Sequence, residues 1–361
     1  MPLSIDANVP LAPRTTLELG GRARWLAHAT SEAEVVEALD WAAGKAVPVA
    51  VLAGGSNTII PDDGFPGLVL VPALRGLSFE DDRAGAVRVT VGAGEPWDAL
   101  VQETVARDLA GLECLSGIPG SAGATPIQNV GAYGQEVSET VREVRVLRVR
   151  DRATETRTPT QCGFAYRDSA FKRDPGKVIV LSVTFALRRG GPPALRYGEL
   201  IHALGEPPGS RGPSLAEVRA AVLALRRRKS MVFDPADPNH RSAGSFFTNP
   251  AVDTQTADAV AAQAVAEGLV ASADEVPRYP TEDGRVKLAA GWLIERAGLA
   301  KGTRRGPVGL STQHALALVH HGGGRTEDLL AFADEVRDAV RARFGVSLER
   351  EPRLLEALPN G

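Results

Sequence analysis

The sequence predicts an α+β fold in two or three domains, and three observations carry that reading. The chain has 361 residues, more than one hydrophobic core comfortably serves. Capped, apolar-periodic helices are interspersed with short strand patterns. Two Gly/Pro-rich breaks, Arg189 to Pro193 and Pro207 to Pro213, bracket a short insertion and place a boundary near residue 207. The chain beyond that boundary is expected to form a unit of its own, 208–361.

In chain order, Ser31-Glu32-Ala33-Glu34 reads as a capping box opening a helix that Gly44 ends. Val47 to Ala53 has a buried-strand pattern and runs into Gly54-Gly55-Ser56-Asn57, the kind of strand-to-glycine turn at which open α/β units bind ligands. Val87, Val89 and Val91 alternate as a strand, and Pro96 suits the first residue of a helix reaching about Leu109. From Gly117 to Gly134 small residues, Gly and Pro dominate, which rules out a regular helix or an alternating strand. Strand patterns return at Val141 to Val149 and Val178 to Leu187. A second capping box, Ser214 to Glu217, opens a helix ending in Arg226-Arg227-Arg228-Lys229. Two further helices are expected at about 287–297 and 327–343, the latter capped by Thr326.

Composition narrows the function. The chain is 43% hydrophobic and 24% charged with a net charge of −3, ordinary for a globular protein and unsuited to nucleic acid, which demands a basic surface to displace counterions. No apolar run approaches the roughly 18–20 residues that span a bilayer, and the start lacks the regions of a signal peptide. The two cysteines, Cys114 and Cys162, are too few for a disulfide framework or a cysteine zinc site. A cytoplasmic monomer without a metal is expected.

No Walker loop, HExxH or CxxC pair is present, and Gly92-Ala93-Gly94 lacks the third glycine of a dinucleotide fingerprint. The glycine-rich loops 53–57 and 117–134 remain, where backbone N–H groups can approach a phosphate or a flat ring. Alternatively, both are tight structural turns. Tyr166-Arg167-Asp168-Ser169 suits a carboxylate through a guanidinium fork and a hydroxyl, or is a surface ion pair beside a tyrosine. Arg226 to Lys229 suits a diphosphate, or simply opposes the helix dipole. Gly244-Ser245-Phe246-Phe247 holds a hydroxyl between a glycine and two aromatics with no GxSxG elbow. His320-His321 lacks a third ligand. Glu349 and Glu351 read by themselves as surface charge.

Four segments, GIPGSAGATPIQNVGAYGQE (117–136), YRDSAFK (166–172), GSFFTNP (244–250) and LEREPR (348–353), occur in an order that resembles the UDP-N-acetylenolpyruvoylglucosamine reductases, also called UDP-N-acetylmuramate dehydrogenases. The likeness runs from Thr15 to Arg353. It implies a two-part FAD-binding region of the vanillyl-alcohol-oxidase (PCMH) type, in subdomains 1–75 and 76–207, followed by an α+β substrate-binding domain. It implies FAD contacts at Gly54, Gly55, Ser56, Asn57, Ser116, Gly117, Pro119, Gly120, Ser121, Gly123, Ala124, Gln128, Asn129, Gly131, Ala132 and Tyr133. The flavin should be non-covalent, because the first loop has no histidine.

The resemblance also implies that NADPH reduces FAD and leaves, and that flavin N5 then passes hydride to the enolpyruvyl methylene of the UDP-sugar. Ser245 would protonate the adjacent carbon, while Arg167 and Glu351 stabilise the enolate. A carboxylate beside an enolate is repulsive, so Glu351 should be protonated or act through hydrogen bonding. Implied substrate contacts are Tyr166, Tyr197, Lys229, Asn249, Gln313 with His314, and Arg353; Tyr197 marks the subtype carrying the insertion. The chain departs from the family pattern at Ala53 and Thr248. LEREPR leaves both Glu349 and Glu351 as candidates, with Glu351 preferred for its spacing to Arg353. The competing readings are a flavin oxidase of the same wider fold and a silent flavin-binding module.

Overall fold

The computed structural model describes residues 3–82, 85–205, 212–281 and 283–359. The expected boundary at 207 lies outside the described residues. Helices and strands are mixed in an α+β arrangement.

The first region is a sheet ordered Ile5–Pro10, Arg22–Ala29, Phe65–Pro72, Val49–Val51. Its first pair is antiparallel and the others parallel. Helix Glu32–Gly44 buries Val35, Ala38, Leu39 and Ala42 against Ala27, Leu68 and Leu70. Ser31 Oγ accepts from Glu34 N at 3.2 Å, but the Glu34 carboxylate turns back to Thr30 N at 2.6 Å, so the reciprocal half of the box has slid by one residue. The strand is shorter than the 47–53 pattern because Val47 N donates to Ala42 O at the helix end.

The second region is an antiparallel sheet ordered Thr154–Arg157, Val141–Arg148, Val178–Arg189, Ala86–Gly92, Leu77–Asp81. Its central strand, Val178–Arg189, is buried on both faces. A register shift opposite Arg145 and Val146 reverses its side-chain parity. Ile179 and Leu181 therefore enter the first region's core, while Val183, Phe185 and Leu187 pack with Trp97, Leu100 and Val101. Helix Trp97–Ala106 differs from the expected one at both ends. Pro96 is extended, bridges Ser121 and precedes the first helical residue. Leu109 and Ala110 leave the helix to pair with Arg189 and Arg188.

Helix Leu215–Arg228 carries the full Ser214–Glu217 box. It packs through Val218, Val222 and Leu225 against Cys114 and Leu200, the latter on the insertion helix Gly198–Leu204. The last region's core is built by helices Thr254–Ala266, Ala290–Arg296 and Thr326–Phe344. The first of these, capped by Asp253 Oδ1 on Thr256 N at 2.7 Å, is not among the sequence expectations. Residues 287 and 288 are in strand Val286–Leu288, and the helix expected from 287 starts at Ala290, whose N–H is taken by Asn249 Oδ1 at 2.9 Å.

Thr326 does not cap the long helix. Its hydroxyl donates to Ile60 O at 2.6 Å, and the helix N-terminus is held by Asp62 of the first region, which accepts from Thr326 N at 2.8 Å and Glu327 N at 3.0 Å. Charge and hydrogen bonding both favour a carboxylate there. Asp62→Ala should lower unfolding stability by about 1–2 kcal/mol, read as a smaller urea midpoint at unchanged m-value. An unmoved midpoint would contradict the assignment of Asp62 as the cap.

Candidate active site

A cavity of about 640 Å³ opens between the three regions, within the range of small-molecule and cofactor sites. The two glycine-rich loops form one side of it and touch through their backbones. A Cβ on Gly54 would lie 2.6 Å from Gly120 Cα, and one on Gly120, at φ +121°, would lie 2.8 Å from Ser56 Oγ. Ser56 Oγ fixes this approach by donating to Pro119 O at 3.0 Å. Only glycine permits such proximity, which leaves bare main chain facing the space. Ser56, Asn57, Pro119, Gly120, Ser121, Gly123, Ala124, Gln128, Gly131 and Ala132 line it.

A polar cluster closes one part of the cavity. Asn57 Nδ2 donates to Gln128 Oε1 at 2.7 Å and to Glu351 O at 3.3 Å; Gln128 Nε2 in turn donates to Glu351 Oε1 at 3.2 Å. Arg167 Nε lies 3.4 Å from the same carboxylate oxygen. Arg167 itself has a left-handed backbone, φ 52°, and its Nη2 donates to Gly131 O at 2.5 Å. A Cβ at Gly131 would come within 2.8 Å of Arg167 Nη1, so the glycine makes room for the guanidinium. Burial pushes the Glu351 pKa up, against the opposing pull of Arg167, Lys172 and the Gln128 bond. Glu349 is exposed.

Ser245 reaches the same cavity by way of its neighbours. Glu351 N donates to Phe246 O at 2.9 Å, and the buried Phe246 and Phe247 anchor the segment. Gly244 before it needs φ +72°, a conformation that favours glycine. Among the described residues no hydrogen bond engages the Ser245 hydroxyl.

The remaining sequence candidates divide. Arg353 lines the cavity and donates from Nη1 to Lys172 O at 3.1 Å. Six of the expected flavin-loop residues are not in the cavity wall. Gly54 and Gly55 pack on neighbouring backbone. Ser116 Oγ donates to Glu113 O at 2.6 Å, and Gly117 N to Asp98 Oδ1 at 2.5 Å. Buried Asn129 ties Glu136 at 2.6 Å, Ala165 at 3.0 Å and Ser138 at 3.1 Å. The Tyr133 ring meets Tyr197 edge-on at 5.4 Å.

Of the expected substrate contacts, exposed Tyr166 sits under the Lys287 ammonium, 4.1 Å from its ring centre. Tyr197 is exposed on the insertion. Lys229 Nζ pairs with Glu199 at 2.5 Å. Asn249 Oδ1 is used by the helix at Ala290. Gln313 is exposed, with its N–H on Ser311 Oγ at 3.1 Å. Burial and the nearby Lys229 and Lys301 push His314 down to about 4, leaving a neutral ring near neutral pH. His320 is structural: its ring contacts Leu17 O at 3.1 Å and accepts from Gly324 N at 3.1 Å. Arg226, first residue of the basic run that suits a diphosphate, lines the cavity, as does Lys172. Lys172 and Lys287 are brought in or beside the site by the fold, with no local signal in the sequence.

Comparison with known proteins identifies the family. Residues 235–355 match the family model "UDP-N-acetylenolpyruvoylglucosamine reductase, C-terminal domain", and residues 23–156 match "FAD binding domain". The UDP-N-acetylenolpyruvoylglucosamine reductase of Salinispora arenicola is 49% identical over 360 residues, covering 97% of this chain and 95% of its own length. That of Nocardia farcinica is 52% identical over 354 residues, covering 95% and 88%. The crystal structure of the Thermus caldophilus enzyme superposes with a TM-score of 0.64 at 25% identity, covering 98% of this chain and 100% of that one. The chain belongs to the UDP-N-acetylenolpyruvoylglucosamine reductase family.

Proposed function

We propose that the chain reduces the enolpyruvyl ether of UDP-N-acetylglucosamine to UDP-N-acetylmuramate for peptidoglycan precursor synthesis, using FAD and NADPH. The observation that carries this reading is the meeting of Arg167, Glu351 and the Ser245 segment on one cavity whose other side is bare glycine backbone. That glycine cradle, with Asn57 and Gln128 at its edge, fits FAD. Once bound there, FAD supplies the hydride, taken from NADPH and passed to the methylene carbon of the enolpyruvyl group.

The side chains deal with the charge and proton that remain. As hydride adds, negative charge builds on the neighbouring carbon and its carboxylate. Arg167 offers a fixed cation, held in place from Gly131 O and Glu351, and a preorganised charge costs no reorganisation when the reaction occurs. Glu351, kept towards its neutral form by burial, can donate a hydrogen bond where an ionised carboxylate would repel. The unengaged Ser245 hydroxyl then gives its proton to the carbon and is reprotonated from solvent.

Among the described residues no helix is long and apolar enough to cross a membrane. We place the protein in the cytoplasm, with its nucleotide substrates, and as a monomer.

Three measurements test the scheme. Under anaerobic conditions NADPH should bleach the flavin and the enolpyruvyl UDP-sugar should restore its colour; failure of the second step sinks the reading. Ser245→Ala should leave bleaching nearly intact and slow recolouring by about 10²–10⁴-fold, whereas equal losses in both steps would remove Ser245 from its role. For Glu351 the sign follows from linkage. Its folded pKa stands above the ordinary 4.5, so the folded state keeps the proton longer than the unfolded chain. The stability this contributes is present below the ordinary value and lost as pH rises through the raised one. Glu351→Gln, which cannot ionise, should therefore melt above the parent near pH 8, and the gap should close near pH 4. A gap independent of pH would contradict the raised value.

A further inference from the structure

Arg226 is the last-turn residue of helix Leu215–Arg228 that reaches the cavity wall. Arg227 and Arg228 beside it are exposed, Arg219 forks onto Asp98 at 2.6 and 2.8 Å, and Lys229 at the helix end pairs with Glu199 at 2.5 Å. Arg226 Nη2 donates to Met231 O at 2.7 Å, but among the described residues its buried Nε is the one buried side-chain polar atom without a partner. Gly117, at φ +74°, leaves space beside it; a Cβ there would lie 3.4 Å from Nε. Burial draws the Arg226 pKa below the usual guanidinium value, opposed by Tyr133 and Asp98, yet a guanidinium remains charged at any working pH.

A buried cation with an unmade hydrogen bond is costly unless a counter-charge arrives. Lys229, Glu199 and His314 do not line the cavity, whereas Arg226 does, among Ile118, Pro119 and Met231 next to the glycine-rich loop. We propose that Arg226 is a binding residue for an anionic group of the flavin cofactor. This rests on FAD occupying the cavity. FAD presents such a group in two places: its diphosphate at all times, and its ring after uptake of two electrons and one proton, which leaves a net negative charge on it.

The test uses flavin-bound wild type, Arg226→Met and Arg226→Lys, with FAD affinity from flavin fluorescence and the midpoint potential from dye equilibration. If the partner is the diphosphate, Arg226→Met weakens oxidised FAD by roughly 10- to 100-fold, Arg226→Lys by less, and the potential stays put. If the partner is the reduced ring, oxidised FAD binds almost as before, while the potential falls in Arg226→Met and recovers partly in Arg226→Lys. Wild-type affinity and potential in both variants would overturn the assignment, as would a change confined to KM for the UDP-sugar. Should Arg226→Met not fold, the same readouts on Arg226→Lys decide. Wild type purified without flavin would instead sink the functional reading itself.

Discussion

The site depends on the antiparallel contact between the segment after Gly244 and the segment before Pro352. Thr248 N donates to Glu349 O at 3.0 Å, Glu351 N to Phe246 O at 2.9 Å, and Phe247 bridges Arg350. The same strand then runs beside the first region, with Arg353 N on Asn57 O at 3.2 Å, Leu355 N on Ile59 O at 2.8 Å and Leu358 N on Val49 O at 2.6 Å. Main-chain bonds thus fix a carboxylic acid, a hydroxyl and the tip of the first glycine loop relative to one another. Side-chain chemistry is laid on a backbone already set.

Around that frame two opposing electrostatic demands are met within a few ångströms. Glu351 is buried deeply enough to favour its neutral form, while Arg167 on the same oxygen favours the ionised one. Neither could be moved far without altering the other. The carbonyl of Gly131 also holds the guanidinium, through Nη2, so a glycine acts both as acceptor and as clearance. The arrangement resembles a balance more than a salt bridge.

Local signals were readable in the sequence and distant ones were not. The Ser214–Glu217 box, the glycine texture of 117–134 and the alternation from Val87 to Val91 each act within a few residues, and each appears where the pattern places it. Thr326 looked like a cap because no local rule could know of Asp62, which stands 264 residues away from it. The early end of the Trp97 helix has the same origin, a strand partner at Arg188 and Arg189. In the site, the motif order pointed to Arg167, Ser245 and Glu351, but residue types alone left Ser245 and Glu351 ordinary and Arg167 divided between a carboxylate fork and a surface ion pair. Asn129 and Asn249 show the converse: both sit in specific motifs, yet the scaffold uses both ends of the Asn129 amide and the Oδ1 of Asn249.

The bond from Asn57 to Glu351 spans 294 residues. Contacts of such long range are paid for in loop entropy before they return anything, which makes them intrinsically slow to form. A cavity closed by them is expected to complete late, and the first capture of flavin by a refolding chain would then report its finished topology rather than any local element.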